Sequence, residues 1–170
     1  MSRGFVKEDD QEEIPMVPQR AFLPDGVPNF VTRAGMDQLL AERQALVNER
    51  DNLSISNENE KRIALNYINA RLFLLDNRIA EAKVFDLNEQ PQNEIRFGAF
   101  VTLKTAGSGI IQTFQIVGVD EADISRGKIS FISPLAKTLI NKKTGDKVVL
   151  KKPKEDTVYD IMGISYIQIL

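Results

Sequence analysis

Glu58 and Glu60 stand two residues apart in the polar stretch Ser56-Asn57-Glu58-Asn59-Glu60, between two runs of regularly spaced apolar residues. Paired carboxylates are hard oxygen donors and suit magnesium better than a soft metal. The chain contains neither cysteine nor histidine, which argues against a zinc site and excludes Ser-His-Asp or Cys-His nucleophiles, leaving carboxylate or lysine chemistry as the main possibilities. It has neither a P-loop nor a glycine-rich dinucleotide fingerprint, and Gly107-Ser108-Gly109 reads as a hairpin turn. A second charged group is basic. Lys137, Lys142, Lys143, Lys147, Lys151, Lys152 and Lys154 share one stretch whose acid is Asp146. Such a cluster attracts phosphate or an acidic protein surface, with Lys142, Lys143, Lys151 and Lys152 the candidates for nucleic-acid phosphate. No aromatic residues interleave them for base stacking, and a net charge of −2 excludes a globally basic nucleic-acid binder.

The acids need something to hold them. Leu39, Leu46 and Leu53 recur every seven residues, and Leu65, Ile68, Leu72, Leu75, Ile79 and Ala82 form a second heptad set. The sets mirror each other about Asn59, placing Leu53 opposite Leu65, Leu46 opposite Leu72 and Leu39 opposite Ile79. Antiparallel helices keep such layers in register only when the partners lie equally far from the turn. The spacing predicts an antiparallel coiled-coil hairpin over 31–87, with one helix from Thr32 as N-cap to about Ser56 and another from about Asn59 to Phe85. Leu40 and Val47 fall on the first stripe. Apolar packing stops before the turn, at Glu58 and Lys61, so the tip is expected to move more than the stem.

Residues 1–30 combine an acidic run, Glu8 to Glu13, with Pro15, Pro18, Pro24 and Pro28, and read as a flexible arm. No apolar run is long enough to span a membrane or resembles a signal peptide, so a cytoplasmic protein without a membrane partner is expected. Asp86 to Asn93 forms a polar boundary. Beyond it the period changes from helix to strand over 94–170, with strands expected near 97–103, 111–119, 128–132, 147–152 and 157–166. Ser133-Pro134 suits a helix start, serine as N-cap and proline at the first position. The fold class is α+β: a helical hairpin, then an antiparallel sheet carrying one short helix.

Phe97-Gly98-Ala99 with Val101, Phe114-Gln115-Ile116-Val117-Gly118, Asp120-Glu121-Ala122-Asp123, Ile129-Ser130, Ser133-Pro134-Leu135-Ala136 and Gly145-Asp146, in this order and spacing, resemble the Gre family of bacterial transcription elongation factors. Asn29-Phe30-Val31-Thr32 and Gly35 resemble the family's entry into its first helix. The resemblance implies an FKBP-like domain after the coiled coil. It further implies a non-enzymatic partner of RNA polymerase that acts through the secondary channel, with tip acids helping polymerase hold a magnesium ion during transcript cleavage. No intrinsic cofactor is implied. Ser133, Pro134 and Leu135 would help grip polymerase.

The tip departs from the family's Asp-Leu-x-Glu-Asn-Ala-Glu-Tyr block. If Asn52-Leu53 matches Asp-Leu, Asn52 and Ile55 replace both key acids; if Glu58-Asn59 matches Glu-Asn, the glutamate survives and Ile55 replaces the aspartate. Mirror symmetry favours the second alignment. Glu58 and Glu60 are then the magnesium candidates, shared with polymerase. The hairpin is also shorter than the family pattern by roughly one heptad per arm, about 10 Å of reach. Two functions follow from the same shape, a regulator that assists cleavage and a competitor that occupies the channel without promoting it. A prolyl isomerase, suggested only by the implied FKBP-like topology, and a plain coiled-coil adaptor are weaker alternatives.

Overall fold

Thr32 starts the first long helix as its hydroxyl predicts: its backbone is extended, and its Oγ1 accepts a hydrogen bond from the Gly35 amide at 2.9 Å. The computed structural model describes residues 14–167. Helix α1 spans Arg33–Asp51 and α2 spans Glu58–Glu81. Leu39, Leu46, Ile68, Leu72 and Leu75 are buried in one cluster with Val31, with Leu53, Ile79 and Ala82 packed at its margin. These heptad residues form the helix–helix contact, whereas Leu65, expected opposite Leu53, is half-buried and lies outside the cluster. Leu40 does not join it and is 46% exposed, because adjacent helical residues point about 100° apart.

Both helices end earlier than their apolar periods suggest. At the tip, Asn52 folds its amide back onto the Asn48 carbonyl at 2.8 Å, and Ser54-Ile55-Ser56 follows without regular structure. Serine and β-branched side chains are poor helix formers, so the first helix stops at Asp51 rather than near Ser56. At the other end, Ala82–Val84 becomes strand β2, which pairs in parallel with β1, Asn29–Val31. This two-stranded neck ends α2 at Glu81 rather than Phe85.

The neck meets a five-stranded sheet. Its strands are β3 (Phe100–Thr105), β4 (Ile111–Val117), β5 (Lys128–Ser130), β6 (Lys147–Leu150) and β7 (Thr157–Ser165), ordered β5-β4-β3-β7-β6. Helix α3, Pro134–Leu139, covers one face, burying Ala136 and Leu139 among Ala99, Val101, Leu103, Ile116 and Ile161. The sheet is mixed, which corrects the antiparallel expectation: β4 and β5 run parallel. Residues 118–127 carry the chain back past the sheet end, and Gly127, at φ 69°, turns it into β5. Strand β3 begins at Phe100, not Phe97, because Gly98 bends the entry at φ 87°; a Cβ there would lie 2.1 Å from a Leu87 methyl.

Phe30 of β1 packs edge-on to Phe85 with ring centres 4.8 Å apart, and also against Phe97 and Phe131 of the sheet domain. A Cβ on Gly118 would lie 2.4 Å from the Phe30 carbonyl oxygen, so glycine permits the approach. The acidic run Glu8 to Glu13 lies outside the described residues. The later part of the expected arm is not free: Arg20 pairs with Glu42 on α1 and Asp120 after β4. Two carboxylates that converge on one guanidinium from distant parts of the chain fix this segment, which proline content alone does not indicate.

Candidate functional site

Glu58 and Glu60 occupy the first and third positions of α2, at the hairpin end opposite the neck, and both are exposed. Asn57 caps the helix, its side-chain oxygen accepting from the amides of Asn59 and Glu60, each at 3.0 Å. Acids in a first helical turn are favoured by the positive end of the helix dipole, so local stability alone suits glutamate here. Residues two apart on a helix point about 200° apart and do not face each other. Glu58 and Glu60 therefore do not converge on one ion, and no group of three acids able to hold a metal occurs among the described residues. The pair does not fit a magnesium site of this chain's own.

Ser133 caps α3, accepting from the Ala136 amide at 3.2 Å, and Pro134 takes the first helical position as the sequence predicts. Leu135 packs partly into the sheet core while Pro134 is exposed. These three residues follow Phe131, which packs against Phe30 of the neck, whereas Glu58 and Glu60 lie at the opposite end of the hairpin. The structure does not bring the two candidate sets together.

The lysines are less uniform than their stretch suggests. Register across β6 and β7 sets Lys147 opposite Asp160, with Nζ 2.6 Å from the carboxylate, and Lys151 meets Asp156 at 2.7 Å. Those acids lie beyond the basic stretch, so a linear count overlooks them. Lys142, Lys143 and Lys152 are exposed. The Lys142 carbonyl accepts from the Ile95 amide at 2.9 Å, and the Lys143 amide donates to Asp146 at 2.8 Å, which fixes this loop through its backbone and leaves the ammonium groups outward.

A polar junction at the hairpin base is the feature sequence reasoning missed. Buried Glu121 accepts from the Thr32 hydroxyl at 2.6 Å and pairs with Lys128 at 3.0 Å, so the N-cap of α1 is tied directly to the sheet domain. Beside it, Arg20 donates to both Glu42 oxygens at 2.9 and 3.1 Å and through Nε to Asp120 at 3.0 Å. Hydrogen bonding to Glu42, with the nearby Asp120 charge, raises the Arg20 pKa above its ordinary value against the opposing effect of burial. Arg78 donates to the Ala21 carbonyl and lies 3.7 Å from Asp120. The acids were visible within Asp120-Glu121-Ala122-Asp123, but their partners lie as far as 100 residues away along the chain. A hollow of about 400 Å³ on the sheet face opposite α3 is lined by Phe100, Thr102, Thr113, Gln115, Arg126 and Ile164, among others. No helix among the described residues is long and apolar enough to cross a membrane.

Residues 90–166 match the family model described as "Transcription elongation factor, GreA/GreB, C-term". Transcription elongation factor GreA of Anaeromyxobacter sp. is 33% identical over 138 residues, which cover 81% of both chains. The GreA proteins of Hyphomonas neptunium and Desulfovibrio desulfuricans are each 38% identical, over 100 and 97 residues. Those matches span 64% and 60% of the relatives' lengths. The crystal structure of GreA factor homolog 1 of Thermus thermophilus is 23% identical, with 81% of this chain and 99% of that one covered at a TM-score of 0.39. The 138-residue match runs through hairpin and sheet alike, and by it the chain belongs to the GreA/GreB family of transcription elongation factors.

Proposed function

We propose that this protein binds RNA polymerase and regulates elongation through the secondary channel. In this reading the sheet domain is an FKBP-like body that seats at the channel rim, and the helix pair is a coiled coil that enters. The observation that carries it is the two-ended construction: a body with a capped, half-exposed corner at Ser133-Pro134-Leu135, and a helical rod ending in exposed Glu58 and Glu60. The corner contacts polymerase. Lys142, Lys143 and Lys152 face phosphate or an acidic surface beside it, while Lys151 is already engaged by Asp156. The protein is an accessory factor acting in the cytoplasm and carries out no chemistry of its own.

Geometry at the tip favours occupancy over cleavage support. Two acids pointing to different sides of a helix start cannot together complete a metal site, and the rod is shorter than the family pattern by about 10 Å. The protein thus enters the channel, stimulates transcript cleavage weakly or not at all, and at high concentration displaces a full-length cleavage factor. The test pairs core-polymerase pull-down with cleavage by a stalled, backtracked polymerase. Expected results are retention on polymerase, cleavage close to that of polymerase alone, and inhibition of an added cleavage factor. Failure to bind would refute the reading. Robust cleavage lost in the Glu58→Gln, Glu60→Gln variant would instead restore the cleavage-assisting role. The hollow lies on the sheet face away from α3 and gives a prolyl isomerase reading no specific support.

A further inference from the structure

The hairpin is attached to the sheet domain at two separated places. The first is the neck, where Phe30 enters the aromatic cluster and Thr32 meets Glu121. The second is Arg20, whose fork spans Glu42 on α1 and Asp120 on the sheet side, while Arg78 of α2 holds the adjacent Ala21 carbonyl. Glu42 lies ten residues beyond Thr32, about 15 Å up the helix. We propose that the segment around Arg20 is a strap that fixes the angle between hairpin and body, with Arg20 as a positioning residue for the distant tip.

One attachment lets a rod pivot; two separated along its length do not. From Thr32 to the end of α1 the rod measures about 28 Å, so a swing of about 10° at the neck carries its end about 5 Å sideways. Arginine suits the task because its rigid planar fork binds a carboxylate with two parallel bonds and leaves Nε for another, which a lysine ammonium cannot reproduce. The Asp120 side chain is 8% exposed and its Oδ2 accepts no hydrogen bond among the described residues. Arg20 donates to the other oxygen, Oδ1. Without Arg20, Asp120 keeps only Arg78, at 3.7 Å, among the described residues, and Glu42 loses its link to the body through that guanidinium. The Arg20 side chain thus joins α1 to the β4–β5 connection, and Arg78 ties α2 to the same segment through the Ala21 carbonyl. Its significance for polymerase rests on the channel reading above, whereas the strap itself is a property of the free protein.

The test uses the full chain without polymerase. Because the protein has no cysteine, Arg62→Cys on α2 and Gln112→Cys on β4, both exposed, give unique spin-label positions. Pulsed dipolar spectroscopy is expected to give one narrow distance distribution in the otherwise native chain. In Arg20→Ala and in Glu42→Gln it broadens and moves, by about 5 Å for each 10° of swing. Arg43→Ala removes an exposed pair with Asp76 between the two helices and should leave the distribution unchanged. If Arg20→Ala does not fold, Glu42→Gln decides. An unchanged distribution in the folded strap variants overturns the proposal even where melting falls, since that is the mark of a merely stabilising contact. Equal broadening in Arg43→Ala also overturns it. Pull-down with polymerase separately tests the channel reading, so either idea can fail alone.

Discussion

Leu46 illustrates how a single side chain carries the hairpin. It is 3% exposed and shares a cluster with Leu39, Ile68, Leu72 and Leu75. Truncation to alanine removes buried methyl groups and leaves a cavity between helices that cannot fully close, so Leu46→Ala is expected to cost about 2–5 kcal/mol. Thermal and denaturant melts check this, and an unmoved transition would show that the seam lies elsewhere. Leu40, one position along from Leu39, is the instructive contrast. It shares the hydrophobicity and not the face, and its 46% exposure shows that spacing, rather than residue type, decides which leucines support the fold.

At the level of elements, what was legible in the sequence had a period or a cap. The heptad leucines Leu39, Leu46, Leu72 and Leu75 share one buried cluster, the Thr32 hydroxyl caps α1, and the Ser133-Pro134 pair starts α3, each a local geometry that the sequence states. The neck was not legible, because strands of three residues are too short to show alternation and Asn29 meets Ala82 only after the whole hairpin intervenes. The parallel β4–β5 pair was hidden for a related reason: strand pattern reports which face is buried and not which way the neighbour runs. Tertiary ion pairs are illegible in principle. Arg20 reads as one charge among prolines until Glu42 and Asp120 close on it. The N-terminal segment consequently divides. Deleting residues 1–13 should change stability by no more than about 0.5 kcal/mol, since acidic, apolar-poor chain buries little. Deleting 1–21 removes charge-assisted bonds to a buried aspartate and should cost about 1–3 kcal/mol, discounted for the partly exposed Glu42. Equal melting temperatures for the two truncations would show that the strap adds no stability.

For the whole molecule, length and angle together determine where the tip can be. The strap and neck govern angle; the number of helical turns governs length. Adding one heptad to each arm, directly after Leu46 in α1 and directly before Leu72 in α2, keeps the added turns opposite each other and extends the rod by about 10 Å. Adding a heptad to one arm alone leaves seven residues without partners and should lower the melting temperature, whereas the matched insertion should not. If reach limits how deeply this protein enters polymerase, the matched variant displaces a full-length cleavage factor at lower concentration than the native chain. Its own stimulation of cleavage should stay weak, because lengthening the rod does not turn Glu58 and Glu60 toward each other across the first turn of α2. Competition assays with both variants measure the first effect and transcript cleavage the second. Strong cleavage by the lengthened chain would show that a single correctly reached glutamate suffices, and that the native tip is limited by distance rather than by the direction in which its acids point.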